Sequence, residues 1–400
     1  MNVPKIRFPK YNYEWNYEPL NKYVERIVRK NKNKESDLVL TISAQYGLVD
    51  QCTFFNRNVS SSNLDGYYLL YKGDFAYNKS YSNGYPWGAV KRLNLYDKGV
   101  VSSLYICFNT NNLINSDYLQ HYFETNKWYS QISSISVEGA RNHGLLNIAV
   151  NDFFNTEHFF PKIDEQKDIA KFLNLLDKKI ELQSKKIEDL KLFKKGLIND
   201  ELSNLKNCQN ISLNDLGTTY SGLSGKTKED FENGNCKFIN FMSVLKDNID
   251  ISSLTTVKIN PNEKQNKVEK GDLFFMTSSE TKEEVALCST LSYEVEDLYL
   301  NSFCFGYRIN DLNIINNEYL NCLLHSPKYR KQISNLGQGF TRVNISKNKL
   351  LELLIEVPDM KQQLRIVSIN NRLNRKIDLE NNKLNKLSEL KKGLMQNMFV

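Results

Sequence analysis

Four hundred residues are more than one core accommodates, so the chain is expected to hold two domains plus connecting elements. The net charge of +7 is a moderate basic excess that permits an acidic partner. The seven cysteines (52, 107, 208, 236, 288, 304 and 322) are scattered, odd in number and form no CxxC pair, which fits a reducing cytosol and thiols that mostly pack; with no long uncharged apolar run and no signal-peptide core, the expected location is cytoplasmic, away from membranes.

Residues 1–158 read as a first mixed globular region. Runs rich in β-branched and aromatic residues predict strands: DLVLTIS from Asp37, GYYLLYKGDFAYNKS from Gly66 and GVVSSLYICF from Gly99. SSSNLDG and YSNGYPWG carry turn chemistry. SDYLQHYFETNKWYSQIS then predicts one helical segment with Tyr118, Leu119, Tyr122 and Phe123 on one side. Residues 159–200 predict a long helix, followed by a polar link to Asn210. Residues 201–356 rerun the plan of the first region: KGDLFFMTSS echoes KGDFAYNKS, INNEYLNCLLHSPKYRKQIS echoes INSDYLQHYFETNKWYSQIS, and NISKNKLLELLIEVP echoes NIAVNDFFNTEHFFP. Gly73 and Gly271, beside Asp74 and Asp272, are expected to be turn residues. Between these anchors the loops differ, since YSNGYPWGAVKR has no counterpart in ETKEEVALCSTLS. Residues 357–400 predict a second long helix.

The two helices are copies of one another. The stretch from Phe160 to Leu197 aligns with the stretch from Val357 to Leu394 at a constant offset of 197 without a gap, matching Pro161 to Pro358, Gln166 to Gln363 and Lys194-Lys195-Gly196-Leu197 to Lys391-Lys392-Gly393-Leu394. Leu173, Leu176, Ile180, Ile187, Leu190 and Leu197 recur at spacings of three, four and seven, which is a coiled-coil seam. The second copy carries Ile366, Leu373, Ile377, Leu384, Leu387 and Leu394, interrupted by Asn370 and Lys391. A narrow apolar stripe must be covered, and the cheapest cover in a duplicated chain is the other copy, laid antiparallel. Gln183 and Glu380 would then form a polar layer near the middle of the seam. The expected fold class is α+β: two similar mixed α/β domains separated by two long helices in an antiparallel coiled coil, a pseudo-twofold internal duplication.

Catalytic chemistry is not legible. The GKT of GLSGKTKED sits where a phosphate-binding loop would require Gly at Tyr220, and Gly337-Gln338-Gly339 is a lone GxG expected to be a turn. There is no GxSxG, and the Asn-Pro at Asn260 lacks the Pro-aromatic of an amino-methyltransferase. Histidines 121, 143, 158 and 325 are not paired at ligand spacing. No catalytic, cofactor or metal residue is therefore assigned.

The alternation of two unlike regions with two near-identical helices, each entered by P-x-x-x-E/Q-Q and left by K-K-G-L, resembles the DNA-specificity subunit of type I restriction-modification enzymes. The opening P-x-I-R-F-P, Pro4 to Pro9 followed by Trp15, adds to the likeness. The resemblance implies a non-catalytic subunit. Its two target recognition domains would each read one half of a bipartite, asymmetric double-stranded DNA site, and its helices would space them and dock two modification (methyltransferase) subunits. Restriction (translocase-endonuclease) subunits would join the complex, and S-adenosylmethionine, ATP and Mg would belong to those partners. The spacing between half-sites would be about one helical turn, some 34 Å. Loop residues able to reach base edges or phosphates are Lys79, Lys91, Arg92, Arg141, Asn142 and His143 in the first half. In the second half they are Lys226, Lys228, Gln338, Thr341 and Arg342. The rival reading is a coiled-coil scaffold presenting two protein-binding domains without DNA contact; it leaves unlike loops on matched frames unexplained.

Overall fold

A computed structural model describes residues 2–55, 63–82, 84–136, 146–231, 234–246, 248–339 and 341–400. The chain divides into one unit of residues 1–184 with 382–400 and a second of residues 185–381. Each unit thus owns part of both long helices, Ile163–Ser203 and Met360–Met398. None of the described helices is long and apolar enough to cross a membrane.

The first unit is built on a four-stranded antiparallel sheet in the order Val24–Arg26, Ile106–Thr110, Phe75–Asn78, Ala89–Arg92. Phe75, Ala76 and Tyr77 are all buried, because the strand they form is covered on both faces. The helix Ser116–Phe123 lies over the sheet and buries Tyr118, Leu119, Tyr122 and Phe123, the face expected from their spacing. The helical segment is not continuous, however. Thr125 Oγ1 donates to Tyr122 O at 2.7 Å and accepts from Lys127 N, which ends the first helix, and a second begins at Tyr129. The strand pair Asn16–Pro19 with Glu157–Phe160 delivers the chain into the long helix. Within this unit Leu173 is fully buried, and Met395, Met398 and Phe399 of the second copy join the same core, with the Phe399 ring 5.3 Å from that of Tyr118. Lys391 of the second copy meets Asp177 of the first.

The second unit repeats the sheet as Gly217–Ser221, Cys304–Ile309, Leu273–Met276, Cys288–Thr290, again all antiparallel. Helices Asn317–Leu324 and Pro327–Leu336 cover it, the break between them set by Pro327 at the first helical position. A three-stranded sheet of Thr255–Val257, Cys236–Ile239 and Leu298–Leu300 is added, with one parallel pairing. The pieces of the long helices in this unit run antiparallel. Lys186 meets Glu380 at 3.1 Å, Lys194 meets Asn374 at 2.6 Å and Arg365 meets Glu201 at 2.8 Å, one number rising as the other falls. Ile198 and Leu202 of the first helix enter the second core.

The seam positions follow the helical stripe. Leu173, Ile187, Ile366, Ile377 and Glu380 are buried, and Leu176, Ile180, Gln183, Leu190, Leu197, Leu373, Leu384, Leu387 and Leu394 are half-buried. Gly73 and Gly271 hold φ of +98° and +93° in the turns before Asp74 and Asp272, a backbone region that favours glycine. Asp74 then accepts from Tyr71 N at 2.7 Å, and Asp272 from Glu269 N at 2.8 Å, so each acid closes the turn ahead of a central strand.

Candidate nucleic-acid interface

The spelling P-x-x-x-E/Q-Q at both helix entrances has a structural cause. Gln166 is buried in the first unit; its Oε1 accepts from Asn115 N at 2.8 Å and its Nε2 donates to Pro161 O at 2.8 Å. Gln363 does the same in the second, accepting from Asn316 N at 2.8 Å and donating to Pro358 O and Ile314 O, both at 2.9 Å. Asn115 and Asn316 are the N-caps of the helices that cover the two sheets. One glutamine thereby locks each covering helix to the start of a long helix. Asn174 and Asn371 repeat the link a few turns on, donating to Asp117 at 2.9 Å and Glu318 at 2.7 Å. Loops carried by these frames have a fixed base.

In the second unit Gln338, Thr341 and Arg342 come together on one hairpin, and all three are exposed. Its neck is a pair of backbone bonds, Gln338 N to Asn344 O at 2.9 Å and Asn344 N to Gln338 O at 2.8 Å. Gly339 has φ +121°, and a Cβ there would stand 2.1 Å from Arg342 O, so the tip closes only around glycine. The lone GxG is thus a turn, as its spacing suggested. Val343 is buried and, with Asn344, pairs with Ser278–Ser279, anchoring the hairpin to the fold. Beside it Arg330 donates to Ala286 O at 3.2 Å, Glu283 O at 2.8 Å and Val285 O at 2.6 Å. This half-buried guanidinium holds the ETKEEVALCSTLS loop in shape. Sequence reasoning missed Arg330, because nothing in its helical spacing distinguishes a loop-holding arginine from a solvated one.

The remaining candidates are more varied. Lys226 donates to Glu263 Oε2 and Lys258 O, both at 2.6 Å, and its hydrogen bond pulls the Glu263 carboxyl down to about 2. Lys228 is exposed in the helical turn Lys228–Phe231. Lys79 donates to Ile148 O at 3.1 Å, and Leu146 N returns a bond to Lys79 O at 2.7 Å, tying residues 146–148 to the chain just after strand Phe75–Asn78. Arg141, Asn142 and His143 of that loop lie outside the described residues. Lys91 and Arg92, expected in a loop, lie instead in strand Ala89–Arg92, because it pairs with Phe75–Asn78. Lys91 points inward and meets Glu124 at 2.6 Å, only 7% exposed. Arg92 reaches Asp117 at 2.7 Å and Ser116 Oγ at 2.9 Å. Burial opposes ionisation of Asp117, yet the Arg92 hydrogen bond and charge hold its carboxyl below the usual range.

The surface therefore consists of unlike loops on two matched frames. Residues 206–389 match the family described as type I restriction modification DNA specificity domain. The match spans the second domain and most of the second long helix. The first unit repeats the sheet order and covering helix of the matched region. Across almost the whole length the fold is also found in solved structures. A chain from work on complex assembly and conformational transition of the type I R-M system is 14% identical, with 97% of this chain and 99% of that chain covered and a TM-score of 0.60. The type I restriction-modification system S subunit from M. genitalium is 16% identical, with 100% and 99% covered and a TM-score of 0.52. At such identities the likeness is one of fold.

Proposed function

We propose that the chain is the DNA sequence-recognition subunit of a type I restriction-modification complex, working in the cytoplasm. The observation that carries the reading is the repeated frame with unlike loops, one copy of which lies in a DNA specificity family. Each domain reads one half of a bipartite, asymmetric duplex site. In the second domain the Gln338, Thr341 and Arg342 hairpin is the reading element: Arg and Gln make paired hydrogen bonds to guanine and adenine edges in the major groove, and Thr contacts the thymine methyl. In the first, the loops around Lys79 and residues 141–143 serve. Lys228 contributes a phosphate contact, whereas Lys91 and Arg92 brace their strand against the covering helix and Lys226 shapes its loop.

The paired long helices set the distance between readers and dock two modification subunits; restriction subunits complete the assembly. Methyl transfer from S-adenosylmethionine and ATP- and Mg-dependent translocation belong to those partners, and this chain is non-catalytic. The test is to map methylated adenines in host DNA with and without the chain. A bipartite motif should appear with it and vanish without it, and exchange of residues 1–158 should alter one half only. A methylation pattern indifferent to the chain overturns the proposal. Salt-independent binding in gel shifts would favour the protein-scaffold alternative, since phosphate contacts weaken as salt is added.

A further inference from the structure

The second unit contains an open cleft of about 1180 Å³ along Lys191, Lys194 and Lys195 of the first long helix, Asn370 and Asn374 of the second, and Ser326. Lys246 adds a fourth ammonium, against two carboxylates, Asp250 and Asp378. The internal duplication shows what changed to make it. Lys194 corresponds to Lys391 at the 197 offset, and Asp177, the partner of Lys391, corresponds to Asn374. The Lys194 ammonium donates to the Asn374 amide oxygen at 2.6 Å, so an amide stands where the first unit has the Asp177 carboxylate. Leu173, fully buried in the first core, corresponds to Asn370. Glu124, the partner of Lys91, corresponds to His325 in the aligned covering helices. Two acids and a leucine have thus become neutral or basic polar groups around one cavity.

The helix Pro327–Leu336 begins at this cleft. Its N-cap Ser326 is 6% exposed, makes no capping hydrogen bond, and its Oγ has no partner. The counterpart in the first unit, Thr125, is satisfied by Tyr122 O. A ten-residue helix start, an unpartnered buried hydroxyl and several lysines converge, which is the donor set that binds phosphate. The cleft is larger than a lone phosphate needs and lies near the size range of small-molecule sites, whereas a concave space of this volume does not admit a duplex. Tyr293 on its lining is 52% exposed and offers a ring on which a base can stack.

We propose that the second unit carries a binding site for a nucleoside polyphosphate, its phosphates at Ser326 and the lysines of the first long helix and its base on Tyr293. This site is separate from the DNA-reading hairpin and does not depend on the function proposed above. Isothermal titration of the full chain with ATP, in parallel with inorganic tripolyphosphate and a short DNA duplex, tests it. ATP should bind with a dissociation constant below about 1 mM. Asn374→Asp, which restores the acid of the first unit, and Lys195→Glu, at an exposed position, should each weaken binding about tenfold or more, while Lys195→Arg should stay within about threefold. Asn374→Asp recreates a pairing the chain already folds with, so a circular dichroism spectrum like the parent's is expected. Silence up to several millimolar ATP, or an affinity unchanged in both acidic variants, overturns the site. Tripolyphosphate binding as tightly as ATP overturns the base contact, and displacement of ATP by the duplex at equal phosphate concentration overturns the small-ligand assignment.

Discussion

Replacing Gln363 with alanine tests the lock between the second covering helix and the long helix at a single residue. Gln363 has no exposure and makes three hydrogen bonds: from Asn316 N at 2.8 Å, to Pro358 O and to Ile314 O at 2.9 Å. Alanine strands one buried N–H and two carbonyls. A buried unsatisfied group costs about 1–3 kcal/mol, and carbonyls tolerate the loss better than N–H, so the sum is about 3 kcal/mol. The readout is hydrogen exchange at the Asn316 amide, which reports local opening without requiring a two-state global transition. At about 1.4 kcal/mol per factor of ten, protection should fall roughly a hundredfold. Gln363→Glu should be no milder, because it keeps the acceptor but turns a carboxylate towards two carbonyls in a dry site. A change below about threefold in the alanine variant would refute the claim that this glutamine holds the frame.

Other outcomes follow from single side chains. His158, hydrogen-bonded to Tyr122 and Thr156 at 2.8 Å, is kept neutral by burial, which brings its pKa down to about 3. Its depressed folded pKa means that stability is full above the unfolded value near 6.5 and is lost as pH falls towards 3; from pH 7 to pH 5 the first unit should lose about 2 kcal/mol, and His158→Gln should flatten that slope in urea titrations. Leu173→Ala empties a fully buried position in the first core and should cost about 2–5 kcal/mol, seen as an earlier transition of the first unit alone. Arg342→Ala should relax base preference in one half of the methylated motif at a cost of about 1–3 kcal/mol, with the salt slope of binding nearly unchanged. Gly339→Ala should impair the same half by opening the hairpin, without moving the thermal transition of either unit by more than a degree or two; an intact motif would contradict the geometry of that tip.

The helices were legible because a seven-residue apolar repeat survives any tertiary context, and their partnership followed from a stripe too narrow to be covered by its own domain. The sheets were legible only as echoes. KGD announced a turn before a strand in both halves, yet the sheet order depends on long-range pairings that no local pattern encodes. The break at Thr125 is not marked in the sequence, because a threonine is tolerable in a helix and diverts the chain only where its hydroxyl accepts from the amide two residues on, here Lys127 N. At Lys91 the sequence offered a basic pair beside a glycine-rich loop, and the distinction between a free cation and one buried on Glu124 lies 33 residues away along the chain. Gln338, Thr341 and Arg342 were easier, since a glycine forced into positive φ and three polar side chains within five residues leave few arrangements other than an exposed turn.

The first unit is discontinuous: its core is completed by Met395, Met398 and Phe399, which follow an intervening segment of residues 185–381. A ribosome therefore finishes every side chain of the second unit's sheet and covering helices before it supplies the plug for the first. Until then Tyr118 and Tyr122 lack one of their ring neighbours, Phe399, and the nascent first unit holds an incompletely covered core. A frameshift beyond residue 382 would accordingly injure the half of the protein encoded furthest from the lesion.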